Sequence, residues 1–179
     1  HELLRQFAAD KLAKSLSDPA SLQRRHADYF LTWLSGQTQI LQGVQVMRSA
    51  QSVQAVIDDV RAAWQWACAA QDVSLLARAL PVLAEFYNVR GMHSAAEHAI
   101  QSALAHLPDD AENLRAHLLV RLGAVLERQG KIDAASAAIA QGLALAERLG
   151  DVHALGMGRM TLALLHRTTG SVVDGINIA

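Results

Sequence analysis

Apolar residues recur along this chain at intervals of three and four, the period of an amphipathic helix, and runs with the alternation of a strand are absent. The opening segment HELLRQFAADKLAK places Leu3, Leu4, Phe7, Ala8 and Leu12 on one helical face, with charges opposite. Asp18 followed by Pro19 predicts the start of a second helix, with Asp as N-cap and Pro in the first turn. Leu22, His26, Tyr29, Phe30 and Trp33 line its face up to Gly36. From Gln37 to about Gln51 the pattern is weakest, and reads as an irregular helix or a long loop. Helical periodicity returns from Ser52 to Ala70 through Val53, Val56, Ile57, Val60, Ala63, Trp64 and Ala67. Pro81 falls six residues into a helix expected to begin near Leu75, which predicts a kink or a late start.

Beyond Ser74 the pattern repeats itself. The segments LPVLAEFYNVRGMHSAAEHAIQSAL and LVRLGAVLERQGKIDAASAAIAQGL align without gaps, and RMTLALLHRTTGSVVDGINIA forms a third, shortened copy. Gly91, Gly130 and Gly170 mark the same point in each unit, 39 and 40 residues apart. Seven residues before each glycine stands a small residue (Ala84, Gly123, Ala163), and five after it another (Ala96, Ala135, Gly175). Small residues at those points let two helices of a hairpin approach closely. Leu83, Leu122 and Leu162 precede the first small column. Tyr87, Leu126 and His166 lie between the two columns, and Ile100 and Ile139 follow them to fill the space between pairs. The glycines fit left-handed caps that close the first helix of each pair. One pair cannot bury its own apolar face, so the units are expected to stack.

Composition agrees with close-packed helices: 51% of the chain is hydrophobic but only 4% aromatic, and Pro occurs three times. A net charge of −1 gives no basic footprint for nucleic acid. The single cysteine, Cys68, excludes an internal disulfide framework and suits a reducing compartment. No apolar run has the length of a membrane span and the start does not read as a signal peptide, so a cytoplasmic location is the default expectation. The helical pattern runs into both ends, as expected of a piece cut from a longer protein.

Candidate chemistry is sparse. His93, Glu97 and His98 are the tightest of the possible metal groups. His93 and Glu97 share a face, but His98 points about 140° away from His93, and no His-Glu-x-x-His motif occurs. Cys68 sits among alanines without a neighbouring base and reads as a small buried thiol. The pairs Asp58–Asp59 and Asp109–Asp110 are adjacent on the chain, so on a helix they cannot face each other as an acid/base pair. Asp109–Asp110 fits the start of the helix holding Leu114 and Leu118. Trp33 and Trp64 are expected to pack together, with Trp66 off the main apolar stripe. No catalytic constellation and no cofactor motif emerges, which points away from an enzyme.

The repeated columns resemble the tetratricopeptide pattern: Leu122–Gly123 matches its Leu–Gly pair, Tyr87 its aromatic, and Ala96, Ala103, Ala135 and Pro108 later positions. The units are longer than the usual length of about 34 residues, no Trp opens any of them, and His166 replaces the aromatic in the third. The N-terminal segments HELLRQFAADKLA, HADYFLTWL and VIDDVRAAWQWA resemble the region after the ATPase core in STAND-class bacterial regulators, including maltose-activator-like ones. Asp58, Asp59, Val60, Arg61, Ala62 and Ala63 match that family's acidic–Asn–hydrophobic–Arg–Ala–Ala helix, with Asp59 where Asn is usual. No Walker-type phosphate loop occurs in these residues, so any ATPase would lie outside them.

The expected fold is all-α, with antiparallel helix pairs stacked into a tetratricopeptide-like right-handed α-solenoid. Residues 1–72 would be an irregular helical connector after an ATPase and winged-helix region, and 73–179 about 2.5 repeats. The resemblance implies a non-catalytic protein- or ligand-binding module, the sensor or interaction arm of a regulatory ATPase; the alternative is a stand-alone adaptor scaffold. It also implies that the first helix of each pair lines a concave groove, with Arg78, Glu85, Asn88, His117, Glu127, Arg128 and Arg167 facing it. The implied partner is a protein or peptide, or a small-molecule effector, with no nucleic acid or membrane bound directly. The shortened last repeat could also pair two copies of the chain.

Overall fold

The computed structural model describes residues 19–41 and 46–168, which are all-helical, with eight α-helices and no strand among them. They are α1 (Pro19–Ser35), α2 (Val46–Ala55), α3 (Ile57–Ala69), α4 (Val73–Val89), α5 (His93–His106), α6 (Glu112–Arg128), α7 (Ile132–Leu149) and α8 (Val152–Thr168). A short 3-10 turn, Thr38–Leu41, follows α1 and buries Ile40. The expected face Leu3–Leu12, the Asp18 cap, Gly170 and Gly175 lie outside the described residues.

The stretch from Ser52 to Ala70 differs from the single helix its periodicity predicts. Val56, at φ −124° and ψ 19°, steps out of helical geometry and separates α2 from α3. Both sides of the break still bury the expected residues, Val53 before it and Ile57, Val60, Ala63, Trp64 and Ala67 after it. A period of 3.6 survives such a one-residue break, which is why the sequence did not reveal it. Pro81 does not mark a late start: α4 starts at Val73 and runs through it as one helix. The ring removes the N–H that would bond to Ala77, and Ala77 is exposed, so water can reach the carbonyl left over. Asp109 and Asp110 do not begin a helix; both are exposed in the turn before α6, whose first residue is Glu112. Pro108 and that turn lie in the five residues, 107–111, that separate α5 from α6.

Four of the helix-to-helix turns share one closure. The residue after the last helical turn adopts a left-handed backbone, at Gln71 (φ 53°), Gly91 (65°), Gly130 (75°) and Gly150 (67°). The next N–H then donates five residues back, Asp72 to Ala67, Met92 to Tyr87, Lys131 to Leu126 and Asp151 to Ala146, at 2.8–3.0 Å. The expected caps at Gly91 and Gly130 are thus present. Asp72 and Asp151 also cap the helices that follow, accepting from the backbone N–H of Leu75 and Ala154, each at 3.0 Å. Such tight turns reverse the chain and lay successive helices against each other.

From α3 onward successive helices pack on one another, and α3 also packs on α5, α4 on α6, and α6 on α8. One apolar core runs from Ala27 through Phe86 and Tyr87 to Ile139 and Leu165. The small columns do their expected work at Gly123, where an added Cβ would sit against Ile139 Cγ1 and 3.2 Å from the Ala135 carbonyl. Gly142 and Gly158 extend that close approach across α6, α7 and α8. Ala163, by contrast, is exposed on α8, where no following helix is among the described residues.

Candidate functional site

Three helices, α4, α6 and α8, present stripes of residues three and four apart to one shared hollow of about 160 Å³. From α4 come Glu85 and Asn88, whose Nδ2 donates to both Glu85 carboxylate oxygens at 3.3 Å. Along α6 the stripe reads Arg121, Ala124, Val125 and Arg128, and on α8 it reads Met157, Met160 and Thr161. His93 reaches the hollow from the first turn of α5. The walls are therefore largely apolar, with charged groups set into them.

Arg121 is the group with the least local support. Its Nε is fully enclosed and has no hydrogen-bond partner among the described residues; His93 Nδ1 is in the same state. Burial pushes the Arg121 pKa below its ordinary value, and the negative charge of Glu85 offsets part of that effect. A guanidinium N–H enclosed without an acceptor is costly, and such orphaned polar atoms ask for a partner that the described residues do not supply.

Of the residues expected in the groove, Glu85, Asn88 and Arg128 line this hollow, while Arg78, Glu127 and Arg167 do not. Arg78 and Arg167 stand exposed elsewhere on α4 and α8, and Glu127 lies one residue off the Arg121–Arg128 stripe. His117 is committed elsewhere: its Nε2 meets Asp151 Oδ2 at 2.8 Å, and its ring lies 5.6 Å from that of His153. Asn113 donates to the same Asp151 oxygen at 2.9 Å, so α6 is tied to the cap of α8. The bond to the Ala154 N–H, together with the contacts from His117 and Asn113, holds the Asp151 carboxyl below its usual range. Arg121, His93, Met157, Met160 and Thr161 were missed as groove residues. Arg121 was within reach, because it stands two turns before Arg128 on the same stripe.

The remaining candidates settle into packing. Cys68 is 1% exposed, and burial raises its thiol pKa to about 11, far from a reactive thiolate at neutral pH. Trp64 is buried and donates its indole N–H to the Ala99 carbonyl on α5 at 2.9 Å; no Trp33–Trp64 stack is among the described ring pairs. A buried indole seeks an acceptor, which the Ala99 carbonyl supplies, while Trp33 packs against the same apolar core as Trp64. Glu97 binds Lys131 Nζ at 2.8 Å, which lowers the Glu97 pKa and joins α5 to the start of α7. Among the described residues no group of three His, Cys, Asp or Glu side chains is placed to hold a metal, and no helix is long and apolar enough to cross a membrane. Comparison with family models, curated proteins and solved structures finds no match to this chain.

Proposed function

We propose that the chain is a non-catalytic binding module whose hairpins stack as a tetratricopeptide-like right-handed superhelix. In this reading α4, α6 and α8 line the concave side and recognise a ligand or partner there. The observation that carries it is the hollow itself: alternate helices α4, α6 and α8 contribute stripes to one recess, and the recess is lined by a guanidinium whose Nε has no hydrogen-bond partner among the described residues. An assembly of that kind suits recognition, because the rigid helices fix the polar groups before the ligand arrives.

The resemblance of the N-terminal segments, VIDDVRAAWQWA above all, extends the proposal. Residues 1–72 connect the repeats to a STAND-class regulatory ATPase, and the repeats act as its sensor or interaction arm in the cytoplasm. The test is the coding sequence upstream of His1. A Walker phosphate loop followed by a winged helix is the expected finding. Their absence would refute the arm and leave a stand-alone adaptor scaffold. Hydrolase assays on the purified chain address the non-catalytic part: turnover abolished by substituting one polar residue would overturn it.

A further inference from the structure

We propose that the hollow between α4, α6 and α8 takes a small monocarboxylate with an apolar body of about six carbons, its carboxylate held by Arg121 and Arg128. The inference rests on the reading of this recess as a recognition site and specifies the ligand class.

Charge selects the class first. Arg121 and Arg128 set two positive charges at the hollow against the single carboxylate of Glu85, which leaves one charge for a ligand to neutralise. A monoanion does so. A dianion such as a phosphate monoester brings excess negative charge up to Glu85 and is disfavoured. Geometry points the same way, since the planar fork of a guanidinium matches a carboxylate, and Arg121 lines the hollow with a guanidinium whose Nε has no acceptor among the described residues. His93 Nδ1, the second unpartnered atom, can donate to or accept from the same ligand.

Size and wall chemistry set the rest. The volume of about 160 Å³ is close to that of an apolar protein cavity of roughly 150 Å³ that accommodates benzene. Val125, Met157 and Met160 form an apolar wall, and methionines adapt to the shape of what they cover. Met160 is 63% exposed, so it stands at the mouth, where an entering body would cover it. The same chemistry is offered by a free organic acid and by the last residue of a peptide with an apolar side chain.

The experiment follows the Arg121 Nε–H resonance of the isotopically labelled chain during titration with benzoate, with benzamide as the neutral isostere and phenyl phosphate as the dianion. Benzoate is expected to shift that resonance saturably, benzamide to leave it in place, and phenyl phosphate to bind more weakly than benzoate. Arg121→Gln is expected to weaken benzoate by about tenfold or more, the scale of a lost charge-assisted hydrogen bond. Glu85→Gln is expected to narrow the gap between benzoate and phenyl phosphate. Arg128 is exposed at the rim, so Arg128→Gln keeps the test decisive should Arg121→Gln fail to fold; a weaker benzoate affinity in that variant is the expected result. N-acetylleucine binding more tightly than benzoate, with N-acetylleucinamide silent, would identify a peptide terminus as the source. The proposal falls if benzamide matches benzoate, if Arg128→Gln binds benzoate unchanged, or if neither benzoate nor N-acetylleucine gives a saturable shift. That last outcome leaves the regulatory-arm reading intact, because the upstream sequence decides it separately.

Discussion

Replacing Gly123 by Ala tests the close approach of α6 and α7 against an internal control. Alanine is about 1 kcal/mol better than glycine inside a helix. At Gly156, on α8, an added Cβ meets nothing within 4 Å, so Gly156→Ala is expected to stabilise by about 0.5–1 kcal/mol. At Gly123 the same methyl meets Ile139 Cγ1 and lies 3.2 Å from both Ile139 Cδ1 and the Ala135 carbonyl oxygen. Ile139 is fully buried and Ala135 O belongs to a helix backbone, so neither yields cheaply. Overpacking of this kind costs about 1–3 kcal/mol, which outweighs the helical gain. The two variants should therefore differ by about 2 kcal/mol, or about 4–8 °C in Tm for a domain of this size. Thermal and urea melts of both variants give the comparison. A third variant sharpens it: Ile139→Ala alone opens a cavity and costs about 2–5 kcal/mol, but part of that loss should return in the double variant with Gly123→Ala, where the new methyl enters the vacated space. A Gly123→Ala protein as stable as Gly156→Ala, with no coupling to Ile139, would refute the reasoning.

Three further outcomes follow from the same geometry. Asp151→Ala should cost about 2 kcal/mol at neutral pH, of which about 1 is the helix cap and the rest the lost partners of His117 and Asn113. The Asp151 pKa is lowered in the fold, so its contribution is complete above the unfolded value near 4 and fades as pH falls through the folded value; urea melts of wild type and variant should converge at acid pH, and a constant gap would contradict this. Cys68 should react with a thiol reagent only as fast as the chain unfolds, and rapid labelling of the native protein at neutral pH would show that the thiol is neither buried nor raised to about 11. Trp64→Phe keeps an aromatic ring but removes the 2.9 Å bond to Ala99 and part of the buried indole's volume, and should cost at least about 1 kcal/mol in a denaturant melt; no change would mean that the bond does not hold α3 to α5.

The helical class and the turns at Gly91 and Gly130 were legible because glycine at a left-handed cap and small residues at a close crossing leave a periodic trace. Gln71 closes the turn before α4 with the same backbone geometry but without glycine, so the matching hairpin one step earlier left no such trace. The break at Val56 was hidden for a related reason: apolar spacing continues across it, and only backbone geometry tells one helix from two. Part of the site could be read from polar and charged residues on first helices, as Glu85, Asn88 and Arg128 show. His117 illustrates the limit of that reading. It lies on a first helix as expected, but its partner Asp151 comes from a cap 34 residues away, a pairing that no local pattern announces. Arg121 shares its stripe with Arg128, but its Nε is enclosed, and burial of that kind is not visible in the spacing of charges alone.

The central claim is that this chain recognises rather than transforms, and that it does so on behalf of an attached ATPase. Its most direct test is ATP turnover by the full-length protein, measured beside the isolated chain and beside the full-length Arg128→Gln variant. Turnover by the full-length protein is expected, with none by the isolated chain and a changed rate when Arg128 is replaced. Turnover by the isolated chain, a full-length protein that does not hydrolyse ATP, or a rate indifferent to Arg128 would contradict it.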